Sequence, residues 1–127
     1  MGWAIEGRKA QELWIGSLLR RDVPRVRLGD KVGDTARRAE GSAHDIAVVV
    51  TADDVVLGML DAQALVPSSS ASVEEVMRPG PATYRPDVPV EELLEKLRPK
   101  HLRRALVTTP EGRLLGAFYT DDVPEVP

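Results

Sequence analysis

The chain has 127 residues, of which 43% are hydrophobic and 29% charged, with no cysteine and a net charge of −3. That is enough to bury roughly two thirds of its unfolded surface in one compact domain, and it excludes disulfides, thiolate metal sites, cysteine nucleophiles and a chain-wide nucleic-acid footprint. No apolar run approaches the ~20 residues of a membrane span and the first residues lack a signal-peptide layout, so a cytoplasmic protein without membrane insertion is expected.

In chain order, Ala10, Leu13, Trp14 and Leu18 recur at three- and four-residue spacing, which predicts an amphipathic helix over Trp3–Leu19 and makes residues 1–19 a helical lead-in. Val23 to Arg27 reads as a short extended piece, and Asp30 as the cap of a helix over Val32–Ala39 that Gly41 and Ser42 end. The β-branched run Ile46–Val50 predicts a buried strand, Ala52-Asp53-Asp54 a turn and Val55–Leu60 a returning strand, followed by a short helix over Asp61–Leu65. Residues 66–72 form a linker rich in serine.

Ser72-Val73-Glu74-Glu75 matches a capping box, so a helix is expected through Met77 until Pro79-Gly80-Pro81 stops it. Thr83-Tyr84-Arg85 is extended, and Asp87 with Pro89 opens a helix that aligns Val90, Leu93, Leu94 and Leu97 before Pro99 ends it. Ala105–Val107 and Leu114–Phe118 flank Pro110-Glu111-Gly112-Arg113, the pattern of a β-hairpin. Its second strand enters Tyr119-Thr120-Asp121-Asp122, where a helix start would offer free N–H groups to anions.

The chain also repeats itself. A shift of 58 positions lays Gly58 on Gly116 and keeps Ala47/Ala105, Val49/Val107, Thr51/Thr109 and Leu57/Leu115 identical, as well as Arg20/Arg78, Arg27/Arg85 and Val32/Val90. The units are residues 13–65 and 71–127, each too small to bury a core comfortably alone, so the two are expected to pack on one another.

With this order of elements the chain resembles the CBS-domain family. The matching residues are Val76-Met77-Arg78-Pro79, Thr83 with Pro86-Asp87, Leu102 to Thr108, Glu111 to Gly116, and Asp122-Val123. The resemblance implies an α/β (α+β) fold, two βαββα repeats packed about a pseudo-twofold axis with an N-terminal helix. It also implies a cleft for an adenosine-containing ligand such as AMP, ADP, ATP or S-adenosylmethionine, and frequent pairing into homodimers. Residue by residue, it implies Asp122 on the ribose hydroxyls, Thr83 at the base, and Arg103 and Arg104 at phosphate. Tyr119 stands where the family has a phosphate-facing Ser or Thr, with Thr120 beside it as a substitute. In the first unit the same positions hold Arg25, Asp45, Ile46, Asp61 and Ala64, so no ribose carboxylate remains and two carboxylates oppose a phosphate. One nucleotide site at most is therefore expected, built on the second unit's residues.

Other chemistry finds little support. His44 and His101 lack metal or catalytic spacing, adjacent pairs such as Asp121-Asp122 point apart, and no phosphate-loop or nucleophile-elbow pattern occurs. The arginines between Arg20 and Arg38 lack interleaved aromatics and read as a solvated face. The expectation is a regulatory, non-enzymatic module with no metal, sensing an adenosine nucleotide. The alternative is a ligand-free dimerisation or interaction module that holds a partner protein, and Tyr119 discriminates: a ring that fills the cleft makes a scaffold. Leu93, Leu94 and Leu97, with the N-terminal helix, are expected to leave apolar surface for a homodimer.

Overall fold

The unbroken apolar runs of the sequence form the inner strands of two small sheets in the computed structural model, which describes residues 13–42 and 44–124. The first sheet has the order β1 (Arg25–Val26), β2 (Ala47–Val50), β3 (Val56–Leu60), β4 (Arg78–Pro79); the second has β5 (Thr83–Tyr84), β6 (Arg104–Thr108), β7 (Leu114–Tyr119). In each, a parallel pair (β1 with β2, β5 with β6) is bridged by a helix and continued by an antiparallel hairpin. The bridging helices are α1 (Val32–Glu40) and α3 (Val90–Leu97), and a one-turn helix α2 (Val73–Val76) precedes β4.

The two units exchange their lead-in segments. Arg78 of β4 pairs with Met59 in the first sheet, and Val73 packs there with Val26, Val32, Ala47, Val49 and Leu60. Reciprocally, Arg20 pairs with Ala117, and Ile15, Leu18 and Leu19 pack with Leu93, Leu94, Leu97 and Phe118 in the second unit's core. This exchange accounts for the glycine shared by the repeats. A Cβ on Gly116 would stand 2.7 Å from the Arg20 carbonyl oxygen, and one on Gly58 would stand 2.8 Å from that of Arg78. Only a residue without a side chain lets the exchanged segment cross so closely. Between the units, Val23, Ile46, Val48, Leu106, Ala117 and Tyr119 form a third core cluster.

Local expectations that depend on neighbouring residues hold. The Glu75 carboxylate accepts the Ser72 N–H at 3.0 Å and its hydroxyl at 2.9 Å, which completes the capping box and lowers the Glu75 pKa. Gly112 takes φ +90 at the hairpin turn.

Those that depend on long-range partners do not. The helix expected over Trp3–Leu19 lies outside the described residues up to position 12. Beyond it Trp14 is extended and only a 3-10 turn, Ile15–Leu18, follows. The reason is that Ile15 and Gly16 donate their N–H groups to Val88 and Pro86 of the other unit, both at 3.0 Å. The helix expected through Met77 stops at Val76 because Arg78 and Pro79 join β3. Asp30 does not cap α1, whose N-cap is Lys31; its carboxylate accepts the Arg27 N–H instead. The short helices expected at Asp61 and Asp122 are single turns, the latter a 3-10 turn, Thr120–Asp122. Leu93, Leu94 and Leu97 are 0%, 2% and 2% exposed, so these leucines, one part of the apolar surface on which a homodimer was expected, are already used within the chain.

Candidate ligand clefts

The repeat places two clefts at corresponding ends of the hairpins. Arg104 is opposite Tyr119 in the β6–β7 register, and Ala47 is opposite Leu60 in β2–β3, so the residues around Arg103, Tyr119, Asp45 and Asp61 gather where the two units meet. The first cleft, about 500 Å³, is bordered by Asp61, Arg78, His101, Arg103 and Arg104, with Met59, Tyr84, Leu97 and half-exposed Leu102 as its apolar wall. The second, about 480 Å³, is bordered by Arg20, Glu40, His44, Asp45, Arg103, Tyr119 and Asp121. Positions related by the repeat face each other across this comparison: Arg78 corresponds to Arg20, Asp61 to Tyr119, Leu102 to His44 and Arg103 to Asp45.

The six residues singled out from sequence do not converge on one cleft. Arg103 borders both, Arg104 the first and Tyr119 the second, while Thr83, Thr120 and Asp122 line neither. Thr83 sits in the β5–β6 ladder opposite Leu106, and its hydroxyl accepts a hydrogen bond from Arg85 at 2.9 Å. Asp122 is gripped by both ends of the Arg20 guanidinium, at 2.7 and 2.9 Å. That fork holds the Asp122 carboxyl below its usual range and raises Arg20 further.

Arg20 also lies 3.9 Å over the Tyr119 ring. Tyr119 points inward, 8% exposed, with its hydroxyl 3.4 Å from Nδ1 of buried His44, and burial pushes its pKa up. The His44 Nε2 in turn stands 2.8 Å from Asp22, a hydrogen bond that lowers the Asp22 pKa. His44, which lacked metal or catalytic spacing in the sequence, is a buried histidine, only 6% of it exposed. Asp122, Arg20, Tyr119 and His44 form a chain of contacts, and the last three of them border the second cleft.

The first cleft is organised differently. Asp61, expected to repel phosphate, is committed to Arg78 at 3.3 Å and to the Ala64 N–H at 3.2 Å. Arg103 meets Asp121 at 2.8 Å, which raises the Arg103 pKa, and Arg104 meets Asp45 at 3.5 Å. The Arg104 Nε is buried without a hydrogen-bond partner. An aromatic and aliphatic wall next to three guanidinium groups suits a ligand with a flat apolar part and an anionic part. Among the described residues no group of three His, Asp or Glu side chains could hold a metal ion. Sequence reasoning passed over Arg20, Arg78 and Asp61 as site residues, although the retention of arginine at positions 20 and 78 of an otherwise diverged repeat was a signal for the first two.

With two βαββ units exchanging lead-ins across paired clefts, the chain has the fold of a CBS-domain pair. In its second unit, residues 73–125 match the family model of the CBS domain. Similar solved structures include the cytosolic domain of the Mg2+ channel MgtE in complex with ATP, 28% identical with a TM-score of 0.73, over 84% of this chain and 45% of that one. Another is the CBS domain pair of protein MJ0100 in complex with 5-methylthioadenosine and S-adenosyl-L-methionine, 16% identical with a TM-score of 0.74, over 87% of this chain and 92% of that one. A curated relative, the homoserine O-acetyltransferase of Methanohalobium evestigatum, is 22% identical over 113 residues. The match covers 87% of this chain but 23% of that protein, and it carries no catalytic assignment to this one. No described helix is long and apolar enough to cross a membrane.

Proposed function

We propose that this chain is a regulatory CBS-pair module that takes an adenosine-containing anion, AMP, ADP or ATP, in the cleft between Asp61 and Arg103. The observation that supports it is the joining of an apolar wall at Met59, Tyr84 and Leu102 to Arg78, Arg103 and Arg104, the last with a buried Nε that lacks an acceptor. A phosphate pairs with guanidinium groups of this kind, whereas the sulfonium of S-adenosylmethionine brings a positive charge to a site that already holds three. The likeness to an ATP-bound transporter domain agrees with the ligand class. Of the residues expected from sequence, Arg103 and Arg104 belong to this site, and Asp122 belongs to the network with Arg20.

Titration calorimetry with AMP, ADP and ATP tests the reading. Arg104→Ala should weaken the preferred nucleotide about tenfold or more, the effect of losing a charge-assisted hydrogen bond of about 1.5–3 kcal/mol. Asp122→Ala should leave the affinity unchanged. Absence of saturable binding by all three nucleotides would sink the proposal and leave the second reading, a ligand-free module that holds a partner protein. What favours that second reading is the inward Tyr119, which is buried against Arg20 and His44 at the other cleft.

A further inference from the structure

The arginines of the first cleft are not idle when it is empty. Arg103 points its guanidinium to Asp121 and Arg104 to Asp45, and both of these carboxylates border the second cleft. Arg103 itself borders both clefts. Position 45 in the first unit is the repeat counterpart of position 103, so the exchange of units sets an acid from one repeat against the basic pair of the other. The Arg103–Asp121 pair is open to solvent, with side-chain exposures of 71% and 62%, and in the second pair Arg104 is 25% and Asp45 56% exposed, so water and salt reach both carboxylates and a ligand can compete.

We propose that Asp45 and Asp121 are tethered competitors for the anion in the first cleft. They neutralise Arg103 and Arg104 while the cleft is empty, they set the affinity for the phosphate part of the ligand, and they are released towards the second cleft when it binds. An incoming phosphate takes the guanidinium groups in charge-assisted contacts, and each carboxylate it displaces loses its counter-charge beside Glu40, which borders the same cleft. The inference rests on the nucleotide reading above. It adds that affinity is limited by residues that face the ligand-free side.

The test compares AMP with adenosine on the wild-type chain, Asp45→Asn, Asp121→Asn, the double variant, and Glu111→Gln, which removes a charge at the distant hairpin turn. In low salt the double variant should bind AMP about three- to tenfold more tightly than wild type, as expected for removing two exposed ion pairs. Adenosine should bind all five proteins alike, and the gain for AMP should shrink in high salt. Unchanged AMP affinity in the double variant, an equal gain for adenosine, or an equal gain in Glu111→Gln would overturn the proposal. Failure of every protein to bind AMP would instead remove the nucleotide reading, and this inference with it.

Discussion

The two clefts share one backbone frame and have opposite fates. In the second, Arg20 forks onto Asp122 and covers the Tyr119 ring, so the side chains of the repeat satisfy each other. In the first, the counterpart arginine, Arg78, is 73% exposed at its side chain, and Arg104 keeps a buried donor unpaired. The difference teaches that a repeat copies strands, helices and crossings, while the ability to hold a ligand depends on single side chains placed on them. At one and the same repeat position the second cleft has a buried tyrosine, Tyr119, and the first an aspartate, Asp61, paired with Arg78.

The largest expected contrast lies under the clefts, in the helices. Helix α3 buries Val90, Leu93, Leu94 and Leu97, whereas α1 buries Val32, Gly33, Thr35, Ala36 and Ala39, so the second unit's helix buries far more apolar volume. Leu94→Ala should cost about 2–5 kcal/mol in urea unfolding, and its repeat counterpart change, Ala36→Gly, about 1 kcal/mol. Similar losses for both would show that the two cores contribute alike. Leu94→Glu should fail to fold at all, because the carboxylate has no partner in that core.

A middle-sized effect separates the clefts directly. Arg78→Ala should lower the affinity for AMP several-fold with little change in melting temperature, since its side chain is 73% exposed. Arg20→Ala should do the reverse, leaving AMP binding intact while costing about 1 kcal/mol of stability through loss of the fork to Asp122. If Arg20→Ala abolished AMP binding, the assignment of the ligand to the first cleft would be wrong.

The smallest effect is in pH. Asp122 titrates below its ordinary 3.8 because Arg20 donates to it, so its contribution is complete at neutral pH. It begins to be lost as the pH falls below about 4 and is gone once the pH passes the depressed folded value. Arg20 stays charged throughout, so the sign is fixed by the carboxylate. Thermal melts should therefore show Asp122→Asn less stable than wild type at pH 7, with the gap closing towards pH 2. A constant gap would mean that the charge of Asp122 contributes nothing.

Much of the fold was legible because its signals are local. The run Ala47–Val50, the leucine spacing of α3, the Ser72–Glu75 cap and the Gly112 turn each depend on residues within a few positions, and each formed as its pattern implied. The repeat of Gly58 on Gly116 showed that two like units exist. It did not show why a glycine recurs, because the reason is the carbonyl of a segment from the other unit passing 2.7 Å from where a Cβ would stand. The site was less legible for the same cause. Thr83, Asp122 and the Arg103–Arg104 pair all belong to the second unit, but in the folded chain they meet different partners, Arg85, Arg20, and Asp121 with Asp45, of which Arg20 comes from the exchanged lead-in.

Sequence by itself determined the two units, their order of strands and helices, and the apolar faces that must be buried, since backbone propensity and hydrophobic period act over short distances. Only the tertiary structure decided that residues 15–20 complete the second unit and residues 73–79 the first, and that the tyrosine and arginine of the second cleft stack on one another. Those outcomes rest on hydrogen bonds and ion pairs between residues up to 102 positions apart, whose geometry no local pattern encodes.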